Sequence, residues 1–226
     1  MKTYSKRYKE SVKQVEQDKL YQLKEAIILL KKLPKPKFDG SVDLHFNLNV
    51  DTKKSDQMVR GTVVLPHGTG KKVRVAVFCK GEHERQARDA KADYVGGMEL
   101  IDKVGAGFLD FDCAIATPEM MKDLSKLGKV LGPRGLMPSP KTGTVTNDIS
   151  KAIEDVRNGN VEFRVDKQGG MHLSVGKISF SEEQIDDNAS KVIEAVNESR
   201  PTSVKGKFVK SLSITTSMNP GLRIAC

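Results

Sequence analysis

The feature that most constrains the fold is a change of hydrophobic period along the chain. Ser41 to Val50 alternates strictly, with Val42, Leu44, Phe46, Leu48 and Val50 on one side and Asp43, His45, Asn47 and Asn49 on the other. Such alternation is that of a strand with one buried and one solvent-facing side. It returns near the other end, over Val161 to Asp166, Gly170 to Val175 and Phe208 to Thr216, with a helical stretch from Glu182 to Glu198 among them. These segments predict an antiparallel sheet with one open face. Between the two ends the pattern changes: Lys72 to Cys79, Ala92 to Val95 and Phe111 to Ala116 are short apolar runs, each followed by helical or turn sequence. That is the rhythm of a small parallel α/β unit.

The borders of the middle segment fall at the turn-rich Pro66-His67-Gly68 and Asn158-Gly159-Asn160. The expected fold is α/β with two domains. Residues 1–66 and 160–226 form a discontinuous α+β domain with a mainly antiparallel sheet, and residues 67–159 form an inserted parallel α/β domain. Two linkers make a hinge between them. Helices are predicted over Tyr4 to Val15 and Leu20 to Leu33; in the second, Leu20, Leu23, Ala26, Ile27 and Leu30 make one apolar stripe for the core, and Pro34 stops it.

Charge bears on the partner. Lys and Arg number 38 against 29 Asp and Glu, a net charge of +9. Residues 1–40 hold eleven Lys/Arg against five Asp/Glu, so six of those nine charges lie there. A pI near 9.4 favours polyanionic partners, although it also fits an ordinary basic protein. Cys79, Cys113 and Cys226 lack CxxC spacing and two of them lie in apolar runs, so they read as reduced thiols of a cytosolic protein. Ala26 to Leu30 is too short an apolar run to span a membrane, and Met1 to Lys19 has no apolar signal core, which points to the cytoplasm.

Enzymatic readings fare poorly. A phosphate loop needs Gly-x-x-x-x-Gly-Lys-Ser/Thr, but Gly70-Lys71 has Leu65 where the first glycine belongs and Lys72 where the hydroxyl belongs. No strand runs into Gly-x-Gly-x-x-Gly, so a nucleotide-binding α/β enzyme is only the alternative. Asp110 and Asp112 read as a strand entrance or as paired carboxylates. His45, His67, His83 and His172 are scattered without metal-ligand spacing, and Met120, Met121 and Met137 read as packing. Neither a metal nor a cofactor is expected.

An RNA-binding surface has more support. Lys35, Lys37 and Phe38 precede the first open strand; Arg164, Asp166 and Lys167 are expected on another; Ser211, Ser213, Thr215 and Ser217 alternate along the last. Each hydroxyl alone fits a solvated strand face. Together, residues of matching parity on adjacent strands build a polar surface suited to a wide, shallow minor groove. In Leu131-Gly132-Pro133-Arg134-Gly135-Leu136-Met137-Pro138 the glycines and prolines stiffen a loop; either Arg134 meets RNA or tRNA, or the loop fixes one helix end.

These residues resemble a known family. Ser55-Asp56-Gln57 with Arg60-Gly61-Thr62, Leu65-Pro66-His67-Gly68-Thr69-Gly70-Lys71, Ala92-Asp93-Tyr94-Val95-Gly96-Gly97, Ala116-Thr117-Pro118, Leu131 to Pro138, Phe163-Arg164 and Thr215-Thr216-Ser217-Met218 follow in order. They are similar to the bacterial ribosomal proteins that stand first in the large-subunit numbering, the L1-type family of the mobile lateral stalk, over essentially the whole chain. The resemblance implies a discontinuous RNA-binding α/β domain with a Rossmann-like insert. It implies a component of the large ribosomal subunit, monomeric when free, that binds the 23S ribosomal RNA stalk. It further implies a part in release of the exit-site tRNA, and repression of translation by binding the protein's own operon mRNA. Carried over by position, the RNA-contacting residues are Lys37, Phe38, Ser41, His45, Lys167, Ser211, Thr215, Ser217, Met218 and Asn219. Ser217 replaces the family's common threonine, and Asn219 its usual glycine, where asparagine is expected to tolerate a left-handed turn.

Overall fold

The computed structural model describes residues 4–16, 19–204 and 206–225; Cys226, one of the expected thiols, lies outside them. The first part of the chain gives α1 (Lys6–Lys13), α2 (Leu23–Lys32), β1 (Ser41–Leu48) and β2 (Arg60–Val64). The middle gives β3 (Val75–Phe78), α3 (Glu82–Asp89), β4 (Tyr94–Gly96), α4 (Met98–Gly105), β5 (Cys113–Ala116), α5 (Met121–Leu124), α6 (Gly128–Leu131) and α7 (Ile149–Arg157). The last part gives β6 (Asn160–Arg164), β7 (Gly170–Lys177), α8 (Glu182–Glu198), β8 (Val209–Thr216) and β9 (Leu222–Ile224). Contacts divide the chain into two compact units, residues 1–70 with 161–226, and residues 71–160.

The discontinuous unit is built on an antiparallel sheet in the order β7-β1-β8-β9, with β2 and β6 forming a separate two-stranded sheet. The alternation of β1 has a direct outcome. Val42, Leu44, Phe46 and Leu48 are buried against α2 and α8, together with Met171, Leu173 and Val175 of β7 and Leu212 and Ile214 of β8. Each such side chain taken from water is worth about 1.5–3 kcal/mol, so the apolar face fixes which side of the sheet remains open. α8 begins where its sequence says it must: Ser181 Oγ accepts from the Gln184 amide at 3.1 Å and Gln184 Oε1 accepts from the Ser181 amide at 2.9 Å, a reciprocal cap. Inside the helix, the buried Asn188 has its amide satisfied by the Gly68 and Val175 carbonyls and its Oδ1 by the His67 amide. It ties the segment after β2 to the core.

Two expectations are corrected in this unit. Helix α2 starts at Leu23, and Leu20, placed in its apolar stripe by the sequence, is 63% exposed. The chain stays extended there because Tyr21 bridges Ile224 in parallel, its amide donating to the Arg223 carbonyl and its carbonyl accepting from Ala225. The second correction concerns β6, which ends at Arg164 and pairs with β2 instead of joining the large sheet.

The other unit carries a parallel sheet in the order β4-β3-β5. All of β3 is buried because helices cover both faces. Ala76 and Phe78 pack toward α4, Met120, Leu124 and Leu131, whereas Val75, Val77 and Cys79 pack toward Ala87, Ile149, Ile153 and Val156. That explains why this segment reads as a continuous apolar run and not an alternating one. Burial pushes the Cys79 thiol up to about 11, with Glu84 adding to it.

Candidate nucleic-acid interface

The register of β7, β1 and β8 sets the open face of the sheet in cross-strand rows. Lys177 lies opposite Ser41, Ser174 opposite Asp43, His172 opposite His45, and Gly170 opposite Asn47. On the other flank of β1, Thr215 lies opposite Asp43, Ser213 opposite His45, and Ser211 opposite Asn47. The result is a surface three strands wide in which hydroxyls, imidazoles and amides replace the apolar side chains of the reverse face. Ser174 Oγ, on the outer strand β7, is shielded from solvent and has no hydrogen-bond partner.

One end of this face is closed by the turn after β8. Ser217 donates its amide to the Ser41 carbonyl at 3.1 Å, and Ser217 Oγ accepts from the Ser41 amide at 3.1 Å, so the turn is stapled to the first residue of β1. The Asn219 amide donates to the Thr216 carbonyl at 3.0 Å. Met218 is the residue with positive φ, at 68°, and its side chain is 65% exposed. The sequence expectation assigned left-handed tolerance to Asn219, which does not have positive φ; Asn219 instead locks the turn through its side chain. Its Nδ2 donates to Thr216 Oγ1 at 2.9 Å, its Oδ1 accepts from Ser11 Oγ at 3.3 Å, and its carbonyl accepts from Thr215 Oγ1 at 3.2 Å. A long apolar side chain is thereby held out from a braced left-handed corner, a conformation that costs a non-glycine residue energy.

Lys37 and Phe38 lie in the exposed bend before β1, Phe38 at 54% exposure. The nearby Gly40 is buried, and a Cβ there would lie 3.4 Å from Ser217 Cβ, so the bend and the Ser217 turn flank the same end of the sheet. Lys177 Nζ donates to Ser41 Oγ at 3.3 Å and to the Asp39 carbonyl at 3.4 Å, adding a cation that sequence reasoning missed.

The other end of the face is a shallow groove of about 300 Å³ lined by His45, Asn47, Asp166, Gln168, His172, Ser211 and Ser213 among others. His45 and His172, read as scattered from the sequence, meet Nδ1 to Nδ1 at 2.9 Å. Burial and then His172 hold His45 below the usual imidazole range, with Asp43 pulling the other way. His172, Asn47 and Gln168 were also missed; their polar parity was readable, but their meeting depends on a register that one sequence does not give.

Lys167 corrects an expectation. It does not lie on a strand with Arg164; it is exposed in the turn between β6 and β7, and Arg164 belongs to the two-stranded sheet. Asp166 Oδ1 accepts from the Gln168 amide at 2.8 Å and the Gly170 amide at 2.7 Å, bonds that hold its carboxyl below the usual carboxylate range. This side-chain turn ends the strand, and the Gly169 carbonyl accepts from Leu48 at 2.8 Å to fasten it beside β1. Lys167 is therefore a cation on a fixed rim of the groove.

Elsewhere, Asp112 accepts from Arg74 at 3.2 Å, and that guanidinium holds its carboxyl low, so Asp112 is an ion-pair partner. Among the described residues no group of three or more His, Cys, Asp and Glu could hold a metal ion. In the parallel unit, the Leu131 to Pro138 loop fixes a helix end. The Leu136 amide donates to the Leu131 carbonyl at 3.0 Å and the Gly135 amide to the Gly132 carbonyl at 3.1 Å, with Gly135 at φ 71°. These are the bonds and left-handed glycine of a Schellman cap. Arg134 stays exposed on it.

The family model described as "Ribosomal protein L1p/L10e family" matches residues 30–220. The chain is 52% identical over 225 residues to the large ribosomal subunit protein uL1 of Thermosipho melanesiensis, covering 99% of this chain and 97% of that one. It is 50% identical over 224 residues to the uL1 protein of Solidesulfovibrio magneticus, covering 99% and 95%. With the uL1 protein of Thermobifida fusca it shares 48% identity over 220 residues, covering 97% and 94%.

Proposed function

The chain belongs to the ribosomal protein L1p/L10e family, and from that premise we propose that it is a non-catalytic component of the large ribosomal subunit that binds the 23S stalk RNA through the open face of β7, β1 and β8. The family is one of ribosomal, RNA-binding proteins and not of enzymes. The observation that carries the reading is the unbroken polar face, from the His45 and His172 groove to the stapled Met218 corner. Hydroxyls, imidazoles and backbone groups there suit the 2′-hydroxyls and base edges of a shallow minor groove. Lys37, Lys167 and Lys177 supply phosphate contacts around it. Phe38 and Met218 supply apolar contact with sugars and bases.

The discontinuous unit then gives affinity and specificity, while the Rossmann-like unit adds weaker contacts. The exposed Arg134, held by its helix cap, suits a phosphate of the exit-site tRNA, whose release the protein assists. The same open face binds a stalk-like structure in the operon mRNA, so that excess protein represses its own translation. The protein works on the ribosome in the cytoplasm and is monomeric when free; among the described residues no helix is long and apolar enough to cross a membrane.

The test is binding of the purified chain to a large-subunit stalk RNA fragment and to a scrambled duplex of equal length, at low and near-physiological salt. A preference for the stalk RNA that survives the higher salt is expected. Equal binding that salt erases would reduce the protein to a generic polycation and overturn the proposal. Competition by an operon mRNA leader for the same site tests repression.

A further inference from the structure

The groove at the His45 end carries an inference that rests on the RNA-binding reading and goes beyond it. Two imidazole Nδ1 atoms 2.9 Å apart share one proton, so one ring donates and the other accepts. In a neutral pair the accepting ring must carry its own proton on Nε2, and the donating ring must leave Nε2 bare. Whichever way round the bond runs, the pair offers one donor and one acceptor at its two remaining nitrogens. The rings are held for this, since their centroids lie 5.0 Å apart across directly opposed positions of β1 and β7.

We propose that His45 and His172 act together as a donor–acceptor clamp that reads a group on the minor-groove side of RNA which is itself both donor and acceptor, with His172 a specificity-determining residue. Two sources have that chemistry, a ribose 2′-hydroxyl and the guanine edge that carries the N2 amine beside N3. Ser211 and Ser213 from β8 and Gln168 from the β6–β7 turn line the same groove and complete its polar wall. The charged groups facing the pair are Asp43, two residues along β1, and Asp166, whose Oδ1 is already engaged by backbone amides. Protonation of the pair replaces the acceptor with a second donor, so discrimination belongs to the neutral state. Lowering the pH exchanges it for plain attraction to phosphate.

The experiment measures binding at pH 8 of the full chain, and of its His172→Leu and His172→Gln variants, to the stalk RNA fragment. Parallel arms carry single 2′-deoxy substitutions or single guanosine-to-inosine substitutions along the contacted strand. Wild type is expected to lose about tenfold in affinity at one substituted position, the size of one paired hydrogen-bond contact. The arm in which that loss appears identifies the source. His172→Leu is expected to bind the unmodified RNA about tenfold more weakly and to be indifferent to that substitution, whereas glutamine, which keeps a donor and an acceptor, preserves the discrimination. If wild type prefers the stalk RNA but no substitution depends on residue 172, the clamp is overturned and the RNA-binding reading stands. If wild type shows no preference over the scrambled duplex, the RNA-binding reading itself fails. Imidazole nitrogen NMR of the free protein at pH 8 is expected to show one Nδ1–H and one Nε2–H tautomer, and two rings of the Nε2–H form would also overturn the clamp.

Discussion

Replacing Met218 with glycine is expected to separate stability from binding in opposite directions. Met218 has φ 68°, and a non-glycine residue in that region loses about 1–2 kcal/mol relative to glycine. Glycine in turn loosens the unfolded chain, which returns about 0.4–1 kcal/mol to the other side. The net effect on the fold lies between about zero and 1.5 kcal/mol of stabilisation, or a Tm raised by up to about 4 °C in a chain of this size. The Met218 side chain is 65% exposed in the free protein. If RNA covers that surface, and full burial of a methionine is worth about 1.5–3 kcal/mol, its removal costs about 1–2 kcal/mol of affinity, roughly 5–30-fold. Thermal denaturation and stalk-RNA titration of the same sample read both numbers. A Tm lowered by more than about 3 °C would show that the side chain braces the turn instead of projecting from it. An affinity within about twofold of wild type would remove Met218 from the interface.

Other perturbations probe separate parts of the molecule. Lys167→Ala, on the exposed rim turn, is expected to reduce the slope of log affinity against log salt by about one unit while leaving the preference for stalk RNA in place; an unchanged slope would argue against phosphate contact. His45, held below the ordinary 6.5 of an imidazole by burial, takes up its proton later in the folded than in the unfolded protein. Stability is thus fully present above pH 6.5 and falls as the pH drops toward the lowered folded value, where the unfolded chain binds more protons. Urea midpoints from pH 8 to 5 are expected to decline more in wild type than in His45→Gln, and identical declines would sink this assignment. Gly132→Ala places a Cβ 2.5 Å from the Gly128 carbonyl oxygen and is expected to destabilise the parallel unit by about 1–3 kcal/mol, read by urea denaturation.

What could be read in advance follows from which forces are local. The strands β1, β7 and β8 were legible because one face of each is buried, which imposes a period of two on the residues. Helix α8 was legible as the helical stretch Glu182 to Glu198, and the reciprocal cap of Ser181 and Gln184 fixes its first turn. The pairing of His45 with His172 was not, because it depends on how β7 registers against β1, past a slip between Val42 and Asp43. Lys167 was placed on a strand because Val161, Phe163 and Val165 alternate up to it; the Asp166 carboxylate competes for the amides of Gln168 and Gly170 and ends the strand early. At the Met218 corner, asparagine was the residue with the left-handed reputation. Side-chain bonds to Thr216 and Ser11 gave it a bracing role and left the strained position to its neighbour.

The place of β1 in its sheet has a consequence for how the molecule is made. It lies between β7 and β8, so both of its partners belong to the final third of the chain. At elongation rates of about 5–20 residues per second, some 10–30 s separate the emergence of β1 from that of β8. Until β7 and β8 emerge, the apolar sides of α2 and β1 lack the strands that complete their sheet, whereas the parallel unit, continuous in sequence, has fully emerged before β7 appears. A nascent chain of this protein therefore completes its second unit before its first, and its RNA face comes into being only once β8 has emerged.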